Sequence, residues 1–449
     1  MSKEAKRLIL LELNEINFDV VEKYLAADSE KFPALKKLLA GVRIRTSSEK
    51  RYEDLEPWIQ WASVHTAMPY AQHGVFRLGD IVSASVPQIF ENLELSGYSV
   101  GAISAMNADN RLKRPAYFIP DPWTQTPPDS SWWSKSLAKA VAQAVNDNAK
   151  ARVTLTSTLV VALGLLRFAQ LRHYKKYLSL IAASRGKPWL KALVLDLLLH
   201  DVHWAMFNSK RPDFSTLFLN AGAHIQHHYF FNAQPLRNGS SNSNPEWYVG
   251  RDEDPLGDVL ALYDMIVGEY LARTDADVIT ATGLSQKPYD RVKFYYRLNN
   301  HADFLRGLGI PFRGVFPRMT RDFLVEFENT QDALTAQNVL ASVRIVSDNA
   351  PLFGEIDNRG NSLFVTLTYP KEITPSTHYR VGDRKARLLP EVSFVAIKNG
   401  MHQEEGFAFF TSGVAADAPE SGSHVASLGK TILNYFGISG SFEKMRTSS

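Results

Sequence analysis

The sequence predicts an α/β fold with a doubly wound, mostly parallel sheet, and two observations support this. The apolar segment at 8–13, with almost no alternation, is typical of a strand buried on both faces of a parallel sheet, and 215–220 is predicted to be a further strand. Segments of helical period lie between such strands along much of the chain, and this alternation is the pattern of a doubly wound sheet. We therefore expect one central sheet with helices packed against it.

Two stretches depart from this alternation. Residues 134–208 contain almost only helical patterns, which predicts a helical insertion. In 290–390 a helix at 330–343 precedes two segments, 352–356 and 363–369, that are expected to pair around a turn, which indicates a small α+β cap. The core is then predicted in three parts, 1–133, 209–289 and 391–449.

Composition excludes several classes of protein. The chain has 449 residues, a net charge of +3 and no long basic run, so we expect no nucleic-acid partner. It has no cysteine, which rules out disulfides, thiolate metal sites and cysteine nucleophiles. The first apolar run, 8–11, is too short for a signal peptide, and no nucleotide-cofactor motif is present. A cytoplasmic location is expected.

The most apolar stretch, 153–166, is too short to span a bilayer and contains three threonines and a serine. Four cations follow it closely: Arg167, Arg172, Lys175 and Lys176. A buried helix with a basic exit, a helix lying on a membrane surface and a spanning helix remain open as interpretations. The second of these predicts peripheral membrane contact through 153–176.

Four segments carry a resemblance to a known family. They are 66–74 (TAMPYAQHG), 222–228 (GAHIQHH), 262–282 and 400–406 (GMHQEEG), in that order. Together they resemble the alkaline phosphatase superfamily, especially its type I phosphodiesterase and nucleotide-pyrophosphatase branch. The resemblance covers a little over half of the chain and implies an alkaline phosphatase-like core.

The chain departs from that family at most of the positions that carry its chemistry. Of seven polar positions in the family pattern, the resemblance implies that only two histidines remain, His227 and His402. The other five are replaced by Asn14, Pro57, Ala223, Thr282 and Gly283. Because a two-zinc centre needs several carboxylates, the ordinary centre of the family is not expected here.

Other acids and imidazoles lie in segments expected to end at the carboxyl edge of the sheet, where open α/β sheets build their sites. Glu12 lies two residues before Asn14, so both are predicted to point to the same side of an extended strand. His227, His402 and Glu12 would then hold one divalent metal, zinc, manganese or iron, with an open position for water or substrate. Glu15 lies in the same segment. A structural use of Glu12, such as pairing with Arg7, is the alternative.

The remaining candidates have a functional and a structural interpretation each. We expect catalytic roles for Glu56, Glu12 and His65, although Glu56 also suits a helix first turn and His65 also suits a packed helix face. Contacts to substrate are expected from a further set, in which His73 and Trp58 have structural alternatives in loop and core. The set is Asn14, His73, Trp58 and His224.

Two functions of different classes follow. The first is a divergent hydrolase or transferase that acts on a phosphate-type or related ester with one metal or an altered ligand set. The second is a catalytically degenerate protein that binds an anionic or glycan ligand in a biosynthetic assembly. In either case the partner is expected to be a small-molecule, glycan or lipid-linked anionic compound. Fold resemblance alone does not choose between them.

Overall fold

The structure is a computed structural model that describes residues 6–146, 155–239, 242–318 and 321–438. The chain divides into two compact units. The first comprises Met1–Ser240, Gly250–Pro288 and Gly400–Ser449, and the second comprises Ser241–Val249 and Tyr289–Asn399.

The strands of the described residues are numbered in chain order. They are β1 (Leu8–Leu13), β2 (Val42–Thr46), β3 (Val100–Ile103), β4 (Tyr117–Ile119), β5 (Phe214–Leu219), β6 (Asp277–Ala281), β7 (Ser285–Leu298), β8 (Gly314–Pro317), β9 (Asp322–Glu326), β10 (Arg344–Ile345), β11 (Phe353–Asn358), β12 (Ser362–Leu367), β13 (His378–Val381), β14 (Arg384–Arg387), β15 (Val392–Gln403) and β16 (Gly406–Phe410).

The α-helices of the described residues are numbered in the same way. They are α1 (Phe18–Ala27), α2 (Pro33–Ala40), α3 (Pro57–Thr66), α4 (Tyr70–His73), α5 (Ile89–Leu95), α6 (Trp132–Asn146), α7 (Leu155–Phe168), α8 (Tyr174–Ala183), α9 (Leu190–Lys210), α10 (Ala221–Tyr229), α11 (Pro255–Leu271), α12 (His301–Gly307), α13 (Thr330–Ser342) and α14 (Ser427–Tyr435).

The first unit is built on a seven-stranded sheet of order β2-β16-β6-β1-β5-β3-β4. Strand β1 is parallel to β5 and β6, and β3 is parallel to β5 and β4. Strand β16 is antiparallel to both β6 and β2. The predicted α/β fold with a mostly parallel sheet is therefore confirmed, and β1 is central, as its unbroken apolar run requires.

Helices cover both faces of this sheet. Leu8 and Leu10 of β1 pack in one hydrophobic core with Trp61 and Val64 of α3 and with Leu428 of α14. The alternate residues of β1 are also fully buried, and on the opposite face α9 contacts β5 and α11. The polar residues that follow β1, β5 and β6 consequently meet at one edge of the sheet.

The second unit contains a four-stranded antiparallel sheet, β11-β12-β9-β8, and a three-stranded one, β10-β13-β14. Strands β11 and β12 form the hairpin predicted around Gly360, whose φ of 84° only glycine adopts readily. Helix α13 begins at Thr330 as predicted, but its N-cap is Asn329, whose side chain accepts a hydrogen bond from the Asp332 amide.

Three elements differ from the sequence predictions. Residues 392–397 were expected to resume the core, but they begin β15, which pairs with the long strand β7, and the core strand is β16. Strand β2 was not predicted, because an edge strand with alternating arginines has no apolar run. Helix α5 begins at Ile89 with Gln88 as its cap, whereas the sequence of 86–95 predicts a helix that begins at Val86.

Within the described residues, no helix has the length and apolar content needed to cross a bilayer. The predicted membrane-contact segment, 153–176, is described from Leu155, and its side chains from Leu159 onward; 153–154 lie outside the described residues.

Candidate metal centre

The loop after β1 turns a carboxylate towards the edge of the sheet. Glu15 has a backbone φ of 61°, in the left-handed region that residues other than glycine rarely adopt. Its amide donates to the Thr282 carbonyl at 3.0 Å, and its own carbonyl accepts from Gln226 Nε2 at 2.7 Å. The next-but-one residue, Asn17, donates its amide to Gln226 Oε1 at 3.1 Å and caps α1. Hydrogen bonds to Thr282 and Gln226 therefore hold the backbone of Glu15 in this unusual conformation.

Two imidazoles meet the Glu15 carboxylate. His227 lies near the end of α10 and His402 near the end of β15. Glu15 Oε2 is 3.2 Å from His227 Nε2 and 3.1 Å from His402 Nε2, and the two Nε2 atoms are 3.2 Å apart. Three candidate ligand atoms thus form a nearly equilateral triangle.

In both histidines the ring nitrogen that points away from the triangle, Nδ1, faces an oxygen atom. His227 Nδ1 is 3.2 Å from the Gly400 carbonyl, an acceptor, so Nδ1 carries a proton and Nε2 is the nitrogen that would supply a lone pair to a metal in the triangle. His402 Nδ1 is 3.8 Å from Glu56 Oε2. An oxygen behind each imidazole is the usual arrangement for histidines that bind a metal.

The approach of β15 to α10 depends on Gly400. A β-carbon at this position would lie 2.2 Å from Gln286 Oε1 and 2.7 Å from the Gln226 carbonyl. Gln286 also supports the carboxylate, since its Nε2 donates to Glu15 Oε2 at 2.5 Å and to the Ala223 carbonyl at 3.0 Å.

Burial and the two imidazoles act in opposite directions on Glu15. Burial raises the pKa of its carboxyl, but the positive charge of His402 and His227 and their hydrogen bonds outweigh it and hold the pKa well below its usual range. The carboxyl is therefore ionised at neutral pH, as a metal ligand must be.

The triangle has the dimensions of a metal site. Bonds of about 2.1 Å place neighbouring ligand atoms about 3.0 Å apart in octahedral geometry and about 3.4 Å apart in tetrahedral geometry. The observed edges of 3.1–3.2 Å lie between these values. Two imidazoles and one carboxylate are a ligand set for zinc or iron, so Glu15, His227 and His402 fit one divalent cation.

Glu12, predicted to complete this set, lies elsewhere. It is fully buried, accepts a hydrogen bond from Thr216 Oγ1 and is 3.2 Å from His65 Nε2. Glu12 Oε2 and His65 Nδ1 have no hydrogen-bond partner among the described residues. Because both groups are fully buried between α3 and the sheet, they form an internal acid–imidazole pair, and Glu15 takes the place expected for Glu12.

The other predicted residues have structural partners. His73 Nδ1 accepts from the Val75 amide at 3.0 Å, so its Nε2 carries the proton and donates to Ser63 Oγ at 3.0 Å. A base that already holds its proton cannot activate Ser63 as a nucleophile. Burial also lowers the pKa of His73 to about 4.

The remaining substrate candidates differ in position. Asn14 donates to Glu15 Oε1 at 3.1 Å and to Asn220 Oδ1 at 2.8 Å, and it accepts from Trp61 Nε1 at 2.7 Å, so it supports the carboxylate. Trp58 donates to the Phe76 carbonyl. His224 is exposed and meets His228 edge to face, with ring centroids 4.8 Å apart.

A second histidine group lies in the helical insertion. His173 Nδ1 is 2.8 Å from Asp201 Oδ1, and its Nε2 is 2.7 Å from Glu269 Oε1. Burial lowers the pKa of His173, but these hydrogen bonds outweigh it and raise the pKa to about 9. Both ring nitrogens are therefore donors in an imidazolium, so we interpret this group, which also includes His200, as an internal ion network.

No protein-family model and no curated protein matches the sequence. Among solved structures, the chain is similar to phosphonoacetate hydrolase from Sinorhizobium meliloti 1021, with 11% identity, a TM-score of 0.44 and 96% of each chain covered. Human ectonucleotide pyrophosphatase/phosphodiesterase 5 has 10% identity and a TM-score of 0.43, over 97% of this chain and 96% of that one. Alkaline phosphatase from the Antarctic bacterium TAB5 has 10% identity and a TM-score of 0.39, over 96% and 98%.

Proposed function

We propose that this chain is a metal-dependent hydrolase or transferase of a phosphate-type ester, with one divalent cation held by Glu15, His227 and His402. The observation that carries the proposal is the triangle of ligand atoms with edges of 3.1–3.2 Å. Zinc, manganese and iron all suit two imidazoles and a carboxylate. When bound, such a cation supplies Lewis-acid chemistry to an ester oxygen or to water.

The charges favour a singly anionic substrate. Glu15 contributes one negative charge, and the two imidazoles are neutral when they present lone pairs to a cation. A dication and its three protein ligands carry a net charge of +1, which is complementary to a phosphodiester or a comparable monoanion, and the nearby Glu56 carboxylate further disfavours a dianion.

Glu56 is the residue that we propose moves the proton. It precedes α3, its side chain is one-third exposed, and Oε2 lies 3.8 Å from His402 Nδ1. In hydrolysis, water attacks phosphorus, the bond from phosphorus to the alcohol oxygen breaks, and Glu56 accepts the proton of the water. The departing alkoxide takes a proton from solvent, and Glu56 then returns its proton to solvent. In transfer, an acceptor hydroxyl takes the place of water.

Metal content tests the proposal. Purified protein should retain one divalent ion per chain after dialysis, measured by inductively coupled plasma mass spectrometry. Glu15→Gln and His402→Ala should each lower the occupancy below a tenth, because each removes one of three protein ligands. His378→Ala, on β13 of the second unit, is the matched control and should retain the ion.

Activity is measured with bis(p-nitrophenyl) phosphate as a diester and p-nitrophenyl phosphate as a monoester, and we expect the diester to be preferred. Protein that binds no zinc, manganese or iron, or variants that keep their metal, would contradict the proposal. Metal-independent binding of an anionic or glycan ligand would then favour the alternative function.

A further inference from the structure

The outer face of α7 is apolar where a solvent-facing helix is normally polar. Leu159, Leu163 and Leu166 follow one another at helical spacing, and Leu166 is 71% exposed. The opposite side of α7 supplies the packing: Gly164 lies against the Leu137 side chain of α6, and Phe168 is buried. No charged residue occurs between 155 and 166, so neither face of this helix presents charge to water.

The apolar surface continues along the chain. Leu171, just after α7, is 89% exposed, and Leu178 of α8 is 68% exposed, with Ile181 also on the outer side of that helix. The inner side of α8 buries Tyr177 and Leu180. We name the exposed set the leucine face; it consists of Leu159, Leu163, Leu166, Leu171, Leu178 and Ile181. Single exposed leucines are common, but six within 23 residues indicate an interaction surface.

The segment that carries the leucine face has charged residues of one sign only, although Arg172 pairs with Glu269 and Lys187 with Glu253 from elsewhere in the chain. Nine of the 50 lysines and arginines lie in 148–195, and none of the 47 acids does, so this segment carries +9 and the rest of the chain −6. Within the described part of the chain, Lys175, Lys176, Arg185 and Lys191 form no ion pair. Exposed cations beside exposed leucines on short helices are the composition of a surface that lies on an anionic bilayer.

We propose that the leucine face and its cations dock the protein on an anionic phospholipid surface, with α7 and α8 lying in the plane of the headgroups. The leucines enter the boundary of the acyl chains, and the lysines and arginines contact lipid phosphates. An acidic protein partner would need an apolar surface of matching shape with carboxylates around it. An anionic bilayer supplies apolar acyl chains and negatively charged headgroups over any area. The inference is independent of the metal centre.

The test is flotation of the full-length protein with vesicles of phosphatidylcholine that contain about one-third phosphatidylglycerol, compared with pure phosphatidylcholine, at low salt and at about 0.5 M salt. We expect binding to the anionic vesicles that weakens with salt. Leu159→Ser with Leu166→Ser should lower the partition constant about 100-fold. Lys175→Ala with Lys176→Ala should lower it about 20-fold.

The controls are exposed residues outside the leucine face. Leu95→Ser changes a leucine of α5 that is 62% exposed, and Lys23→Ala with Lys37→Ala removes two exposed cations from α1 and α2. Both controls should float like the unchanged protein.

Several results would overturn the proposal. They are failure to float at low salt, equal binding to neutral vesicles, or equal losses in the controls. A dimer or a protein complex that the Leu159→Ser, Leu166→Ser variant dissolves, without any vesicle binding, would likewise overturn it and assign the face to a protein partner.

Discussion

The side-chain amide of Gln226 holds the backbone around Glu15 with two hydrogen bonds, one to Glu15 and one to Asn17. Its Nε2 donates to the Glu15 carbonyl at 2.7 Å, and its Oε1 accepts from the Asn17 amide at 3.1 Å. The next residue along α10 is His227, so one short stretch of helix holds one ligand and the loop of another. Gln226 is thus a positioning residue for the proposed centre.

Gln226→Ala should weaken metal binding while leaving the three ligands in place. Without the amide, the left-handed conformation of Glu15 loses two of the bonds that fix it, and we expect a 10- to 100-fold rise in the dissociation constant for zinc. Isothermal titration calorimetry measures this. Gln234→Ala, which removes an exposed glutamine, is the control; equal affinities in all three proteins would contradict the role of Gln226.

Glu12→Gln and Glu15→Gln should have opposite effects. Glu12 forms a buried pair with His65, so its replacement should lower the free energy of unfolding by about 1–3 kcal/mol and leave the metal content unchanged. Glu15→Gln should lose the metal. Urea unfolding of metal-free protein and mass spectrometry of the bound ion give the two readouts. Loss of metal in Glu12→Gln would show that Glu12 is a ligand after all.

The free energy of unfolding should fall in alkaline solution, because His173 then loses the proton that its ion pairs require. Its pKa is raised from 6.5 to about 9 in the folded state, so the stabilisation is complete below pH 6.5 and is lost as the pH rises through 9. The pKa of Glu269 is lowered, so its contribution is complete above its unfolded pKa and is lost in acid.

Urea midpoints between pH 6 and 10 test this relation. His173→Gln should flatten the decline above pH 7, whereas His378→Gln, at a half-buried site of the second unit, should keep it. A decline of equal slope in His173→Gln would assign the alkaline loss to other groups.

Glu56→Gln should reduce turnover without removing the ion. Loss of a general base lowers kcat by about 100-fold or more, and the acid limb of the pH–rate profile should disappear with it. Metal content is measured on the same preparation. Glu53→Gln, three residues earlier and exposed, is the control. An unchanged kcat in Glu56→Gln would exclude Glu56 as the base.

The core of the fold was accessible from the sequence because its signals are local. The apolar runs at the start of β1 and at the end of β5 identify strands of the core, and the polar residues after these strands locate the edge of the sheet. Strand β16 was missed in favour of 392–397, because both segments are apolar and only the pairing of β15 with β7 distinguishes them.

The three proposed metal ligands were accessible from the sequence only in part. The alternation of side chains along an extended strand predicts that Glu12 and Asn14 lie on the same side of the sheet. Strand β1 ends at Leu13, however, and the positive φ of Glu15 turns the chain before the alternation can continue. A glutamate gives no local sign of this conformation. It results from hydrogen bonds to Gln226 and Thr282, which are more than 200 residues away along the chain.

His227 and His402 touch across 175 residues of sequence, and Glu15 lies more than 200 residues before His227. A nascent polypeptide that ends before residue 402 therefore cannot assemble the triad, however well its earlier strands have paired. In the proposed centre, a bound ion would link residues 15, 227 and 402 and close two very long loops, whose entropy the unfolded chain keeps.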